Sequence, residues 1–382
     1  MNSPLNICMT SDDVLPAVTG VGAHVQRISK ELAARGHRIS ILTTRRKGEP
    51  ETEKWHGVTL HRMFTVKIYG FNQALPSSGT ITRLIQRESP DFIHHHYLGI
   101  LMKRTGVIAE NLNIPQLSTY HFSSEVLTQP LFMRPFKRLI QKQVIACNNR
   151  VQMLIAPSQS TANVLKLESP HIPVRYITNP VGFSDQSNVR PAARNSAFTI
   201  LYAGRLAHEK NIQYLLNGFQ RMLASVPEAV LWIAGEGPMR STLEKHAHKL
   251  GIASRVQFLG FLDAQTLATR YAACDLFVLP SLVETQGLVA LEAMWFQKPI
   301  IVTDAIGCSA ELVAQGDNGY IVDPASPADL AQRMAHLAGN PALRKQMGLA
   351  GRKRVMSAQT ERVVDQLEEV YGQVCAQRVC VA

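Results

Sequence analysis

The chain has 382 residues, 46% of them hydrophobic and 18% charged, with a formal net charge of +11. That length exceeds what one core usually supports, so two domains are expected, and the apolar content excludes a disordered chain. Six scattered cysteines without C-x-x-C spacing argue against a disulfide or zinc framework, and residues 2 to 10 lack a signal peptide's basic start and long apolar core. With no run long enough to span a membrane, the expected location is cytoplasmic, free or peripheral on the cytosolic membrane face.

Charge is unevenly divided. Residues 1–190 hold 22 Lys+Arg against 12 Asp+Glu, net +10, and the remainder holds 18 against 17, net +1. A basic first half points to anionic lipid, nucleic acid or an acidic substrate near that half.

In chain order, residues 5–9 read as a strand and a loop follows, ending Thr19-Gly20-Val21-Gly22. The spacing of Val25, Ile28 and Leu32 predicts a helix over 23–35, Gly36 a C-cap, and residues 39–43 the next strand. Gly20 and Gly22 permit close backbone approach to a phosphate or sugar, although G-x-G without a third glycine is as well read as a plain turn. Residues 92–94 form a strand that runs into His94-His95-His96. Adjacent side chains on a strand alternate faces and cannot all converge on one ion, so a strand end is the favoured reading and no metal is expected. The strand at 116–120 ends in Tyr120-His121. His121 is a candidate for polar contact with a reacting group, and a satisfied structural histidine is an equal reading.

Residues 126–166 contain Arg134, Lys137, Arg138, Lys142, Arg150 and Lys166 and no acid. After Pro135, Phe136, Leu139, Ile140 and Val144 share one helical face and the basic residues lie opposite. Such a helix lies on an anionic membrane or is a domain helix with a solvated basic face. Without interleaved aromatic residues it does not suit nucleic acid. A strand and helix at 154–165 follow, and the polar run at 184–196 marks the linker. The first domain is then 1–185, the linker 186–197 and the second domain 198–355.

In the second half a strand at 198–203 leads into the loop Gly204 to Asn211 and a helix over 212–223. Arg205 and Lys210 flank that helix's start, offering a diphosphate two cations and a helix dipole without a metal. Strands at 230–234 and 256–259 end in Gly235-Glu236-Gly237-Pro238 and Gly260-Phe261. The strand at 276–279 is followed by a loop at 281–286 and by a helix marked by Leu288, Leu291, Met294 and Trp295. The backbone of Thr285, Gln286, Gly287 and Leu288 would face a ligand outside the strand ends, Glu284 would approach it from the loop, and Glu292 would follow one turn into the helix. Two carboxylates on one rim suit sugar or ribose hydroxyls; the pair alone also reads as a solvated loop and an exposed helical glutamate. Helices continue beyond 327, and the last, within 356–382, is expected to return to the first domain. This alternation predicts an α/β chain with two doubly wound parallel sheets facing across a cleft.

The set GRLAHEKN, GEGP, VQFLGFL and PSLVETQGLVALEAM, in this order and spacing, resembles the retaining GT-B glycosyltransferases of family four. GVGAHV and RGHRISILT resemble that family's N-terminal domain, so the likeness covers nearly the whole chain. It implies two Rossmann-like domains, a nucleotide-diphosphate sugar donor, retained stereochemistry and no metal or other cofactor. Carried onto matching positions, it assigns Arg205 and Lys210 to the diphosphate, Glu284 to sugar hydroxyls, Glu292 to ribose and the Thr285 to Leu288 backbone to sugar and phosphate. Gly204, Gly235, Gly260 and Phe261 line the nucleotide side, and His121 stands where the family often has a histidine near the sugar and β-phosphate. The family's usual Gly-Phe-Gly is here Thr285-Gln286-Gly287, a variant that resembles lipid-directed members such as diacylglycerol glucosyltransferases, and the paired glycines are split as Gly20-Val21-Gly22. The expected activity is hexose transfer, most simply from a UDP-hexose, to a lipid or glycolipid acceptor at an anionic membrane surface. A lipopolysaccharide, polysaccharide or small-molecule acceptor is the alternative within enzymes, and a non-catalytic sugar-nucleotide-binding membrane protein the alternative outside them.

Overall fold

The computed structural model describes residues 3–15, 19–68, 71–96, 98–121, 137–181, 189 and 197–379. The chain divides into two compact units, one of residues 1–180 and 360–382, the other of residues 181–359.

The first unit opens with β1 (Asn6–Thr10), α1 (Gly20–Ala34) and β2 (Arg38–Thr44). Gly20 and Gly22 lie inside the first turn of α1 and not in a loop before it. The reason is Thr19, which caps the helix by accepting from Gly22 N at 3.2 Å. The strands β3 (Thr52–Trp55), β4 (Val58–Met63), β5 (Thr65–Ile68) and β6 (Phe71–Ala74), passed over by the sequence reading, come next. Then follow α2 (Ser78–Glu88), β7 (Phe92–His95), α3 (Ile100–Asn111), β8 (Gln116–Thr119), α4 (Lys137–Asn148), β9 (Met153–Ala156), α5 (Gln159–Glu168) and β10 (Val174–Tyr176). The main sheet runs β10-β9-β8-β7-β1-β2-β4-β3, parallel except for β3 at its edge. Its order reverses between β7 and β1, and it is there, at the carboxyl ends, that such sheets bind ligands.

The second unit holds β11 (Thr199–Ala203), α6 (Ile212–Met222), β12 (Val230–Ala234), α7 (Arg240–Lys249), β13 (Val256–Gly260), α8 (Ala264–Ala273), β14 (Leu276–Leu279), α9 (Leu288–Trp295), β15 (Ile300–Thr303), α10 (Ser309–Leu312), β16 (Gly319–Val322), α11 (Pro327–Ala338) and α12 (Pro341–Val355). Its sheet, β13-β12-β11-β14-β15-β16, is wholly parallel and reverses between β11 and β14. A sheet covered on both faces needs strands that are apolar throughout: Ile200 and Tyr202 of β11 pack into one core, Leu201 and Ala203 into the other.

The last helix, α13 (Thr360–Val379), belongs to the first unit. Val363, Val364, Leu367, Tyr371 and Val374 are buried there with Val25, Ile28 and Phe92, each contributing about 1.5–3 kcal/mol by its removal from water. Arg35 clamps the packing through Asp365 at 2.7 Å and Glu368 at 2.6 Å. Arg134 lies outside the described residues, as does the expected linker at 186–197 except for Val189 and Ala197.

Candidate functional site

At the switch point of the second unit, Lys210 Nζ donates to Glu284 Oε1 at 2.7 Å and Ser281 Oγ donates to the same oxygen at 2.9 Å. Two local features set this geometry. The turn at His208–Lys210 is tied to the loop after β14 by Leu282 N donating to Glu209 O at 2.8 Å, which brings Lys210 opposite Glu284. Thr303 Oγ1 of β15 donates to Ser281 O and anchors the loop from below. Lys210 and Glu284 keep 20% and 13% of their side-chain surface exposed, so both reach solvent. A lysine ammonium has three donors and only one is spent on Glu284.

Gly287 starts α9 in the left-handed region at φ 81°, and a Cβ there would meet Leu279 Cδ2 at 2.9 Å. Only glycine turns the chain so tightly from the loop into α9. Gln286 is buried and its carbonyl accepts from Cys308 Sγ. Thr285 and Leu288 are partly exposed beside it. Glu292, one turn into α9, is 5% exposed and accepts from Tyr271 OH at 3.1 Å. It is therefore an oriented carboxylate, not an exposed helical one. Across the sheet, Gly204 N donates to Ala234 O at 3.0 Å and Gly235 N to Gly260 O at 2.7 Å, so the three glycine turns form a row at the strand ends. A Cβ on Gly235 would fall 1.9 Å from Gly204 O, which forbids any side chain there. Arg205 is partly buried beside this row, held by its carbonyl's bond from Tyr202 OH at 3.0 Å, and Phe261 is half exposed.

In the first unit, His24 of α1, His94 and His96 at the end of β7, and His121 after β8 gather above the sheet. The His94 and His96 rings lie 3.8 Å apart, and His96 Nδ1 is 3.4 Å from His121 Nε2. The His24 ring meets that of His121 edge-on at 4.5 Å. His94 is fixed on both nitrogens, by Tyr371 OH of α13 at 2.9 Å and Thr119 Oγ1 at 2.8 Å. His95 faces the other way, toward Thr10 Oγ1 and Gln116 Oε1, as strand alternation requires. Burial pushes His24 down to about 3 and His95 to about 4, and it holds His94, His96 and His121 well below the ordinary value, with neighbouring histidines adding to the effect. All five are neutral imidazoles at neutral pH.

The sequence reading placed Glu284, Lys210, Arg205, Glu292 and the glycine turns on strand ends of one unit, and the structure brings Lys210 and Glu284 into contact. It missed Ser281 and Tyr271, which orient the two glutamates, and His24. The only sequence signal for His24 is its place on the buried face of α1, between Val21, Val25 and Ile28. Gly20 and Gly22 lie in the first turn of the same helix, Gly20 exposed and Gly22 buried. Lys137, Arg138 and Lys142 are exposed on α4, together with Leu139 at 56%. The neighbouring α5, joined to α4 by Gln141 donating to Glu168 at 3.0 Å, exposes Lys166 and Leu167 at 84%.

Residues 185–354 match the family model described as Glycosyl transferases group 1, and residues 18–183 match that of Glycosyltransferase Family 4. Alpha-monoglucosyldiacylglycerol synthase of Streptococcus pneumoniae is 27% identical over 322 residues, covering 78% of this chain and 70% of its own. The structure of sucrose-phosphate synthase from Thermosynechococcus elongatus superposes with a TM-score of 0.82 at 22% identity, covering 97% of this chain and 99% of that one. Anabaena HepE in complex with UDP-glucose does so with a TM-score of 0.78 at 17% identity, covering 97% and 100%. These likenesses place both units in the GT-B fold.

Proposed function

The chain belongs to the group 1 glycosyltransferases, and we propose that it is a retaining enzyme that moves a hexose from a UDP-hexose to a lipid or glycolipid acceptor at an anionic membrane surface. The observation that carries the donor half is the Lys210–Glu284 contact at the strand-order switch, beside the start of α9. Glu284, held on one oxygen by Lys210 and Ser281, accepts sugar hydroxyls on the other. Glu292, oriented by Tyr271, accepts the ribose hydroxyls. The remaining donors of Lys210, the Arg205 guanidinium and the N–H groups at the start of α9 receive the diphosphate. Gly204, Gly235, Gly260 and Phe261 line the nucleotide side, and the family likeness assigns His121 to the transferred sugar.

In the reaction the acceptor oxygen bonds to the anomeric carbon as the bond from that carbon to the β-phosphate oxygen breaks. The departing phosphate oxygen takes the acceptor's proton on the same face, which retains configuration. Charge grows on the diphosphate, so preorganised cations and N–H groups supply most of the acceleration, and no metal or other cofactor is required.

The acceptor half rests on the exposed Lys137, Arg138 and Lys142 of α4 and Lys166 of the neighbouring α5, with the exposed Leu139 and Leu167. The similarity to a glycolipid synthase supports the same reading. The likeness to sucrose-phosphate synthase keeps a soluble or polysaccharide acceptor as the second reading.

One incubation tests both halves. Labelled UDP-, GDP- and ADP-sugars are supplied with membrane extract or with soluble glycans, and the product's sugar, linkage and aglycone are identified. A UDP-hexose yielding an α-linked, chloroform-soluble product, undiminished by EDTA, is the expected result. An inverted linkage, a product confined to soluble glycans, or no transfer with any donor overturns the corresponding part.

A further inference from the structure

Among the described residues, Nε2 of His96 has no hydrogen-bond partner, and neither ring nitrogen of His24 makes a hydrogen bond of good geometry, although Asn179 stands beside that ring. His24 is 3% exposed and His96 0%. A buried polar atom is costly to leave without a partner, and the His24 ring, packed edge-on against His121, calls for a ligand that one of its nitrogens can meet. Among the described residues, one ligating atom from each of His24, His96 and His121 lies within 4.8 Å of the others.

We propose that His24, His96 and His121 form a binding site for one borderline divalent transition-metal ion of the zinc class, and that its occupancy inhibits transfer by engaging His121. Three imidazoles with an open fourth position are an established donor set for such an ion. Bonds of about 2.0–2.1 Å in tetrahedral geometry set ligand nitrogens about 3.3 Å apart. His96 Nδ1 and His121 Nε2 already stand 3.4 Å apart, and a nitrogen of His24 lies within 4.8 Å of the other two ligands. The scaffold is rigid where it must be. His94, its ring tilted against that of His96, is locked by Thr119 and Tyr371 and restricts the His96 ring, while Asn179 stands beside His24. No carboxylate is in the group, so a hard cation such as magnesium is disfavoured. The three ligands come from α1 and from the ends of β7 and β8, so the site exists only in the folded first unit.

The inhibitory clause rests on the assignment of His121 to the transferred sugar; the binding clause does not. The test uses the full chain without an affinity tag. Zinc stoichiometry is measured after equilibrium dialysis, and the cobalt(II) visible spectrum reports tetrahedral nitrogen ligation. One ion per chain is expected, with affinity reduced at least about 100-fold in His24→Asn and His96→Gln and unchanged in His248→Asn, a surface control on α7. Should a variant fail to fold, X-ray absorption on the zinc-loaded wild type counts imidazole ligands directly. Sub-stoichiometric zinc, an octahedral cobalt spectrum, or equal affinity in folded His24→Asn overturns the site. Transfer unaffected by stoichiometric zinc overturns the inhibitory clause alone. If no donor supports transfer, the function reading fails and the stoichiometry still decides the site.

Discussion

Lys210 Nζ and Glu284 Oε1 are 2.7 Å apart although 74 positions separate the two residues in the chain. Each was assigned a separate contact with the donor from sequence, the lysine to phosphate and the glutamate to sugar. In the fold they form one unit, so a change in either displaces the other.

Glu284→Gln keeps the side chain's length and removes its charge, which frees Lys210 to swing and deprives the sugar of a charged acceptor. A fall in kcat of about 10²–10³-fold is expected with little change in melting temperature, because the pair is partly exposed. Initial-rate kinetics with the UDP-hexose, alongside thermal unfolding, checks it. A loss of only a few-fold would remove Glu284 from the chemistry.

Gly287→Ala places a Cβ at φ 81° and against Leu279 Cδ2 at 2.9 Å. Backbone strain and the clash together cost about 1–3 kcal/mol. Denaturant unfolding should show that loss, and UDP should bind more weakly because the start of α9 shifts. Wild-type stability in the variant would mean that the turn is not held as tightly as φ implies.

Asp12 is 3% exposed, and burial pushes its carboxyl from an ordinary 3.8 up to about 7, against the bond that Oδ1 accepts from Ala74 N at 2.9 Å. The folded protein therefore keeps a proton that the unfolded chain releases above about pH 4. Stability from this group is full below that pH and falls as pH rises to about 7, where the loss levels off at about 4 kcal/mol. Asp12→Asn keeps the Ala74 contact and cannot ionise. Its melting temperature should match the wild type near pH 4 and exceed it progressively up to pH 7; parallel curves would show that Asp12 ionises freely in the fold.

Lys137→Ala and Lys142→Ala each remove a near-surface charge worth about 1 kcal/mol at an anionic bilayer, about fivefold in partition. Flotation with vesicles containing anionic lipid should show the two losses multiplying and vanishing in high salt, with neutral vesicles unaffected by either substitution. Equal flotation of wild type and double variant would make α4 an ordinary solvated helix.

Much of the fold was legible because it is written locally. Apolar runs bounded by turn residues, such as Leu276 to Leu279, are strands buried on both faces, and 3.6-residue spacing between them marks the helices. The short strands of residues 52–74 were missed: Thr52–Trp55 is a half-exposed edge strand whose pairing with Val58–Met63 comes from its neighbour, not from its own pattern. The α1 boundary was missed for a different reason. Glycines read locally as a loop, whereas Thr19, capping Gly22, starts the helix before them.

The class of sheet, the position of Arg205, Lys210, Glu284 and Glu292 near strand carboxyl ends, and the basic character of the first half all follow from near-neighbour spacing and from composition. That Ser281 and Lys210 share Glu284, that Tyr271 holds Glu292, and that His24 joins His96 and His121 emerges first in the folded chain. Those contacts link residues 3 to 97 positions apart, and nothing in local periodicity says which side chains the strand order will bring together. Burial then sets their chemistry, because an imidazole or carboxylate withdrawn from water answers to its new neighbours alone.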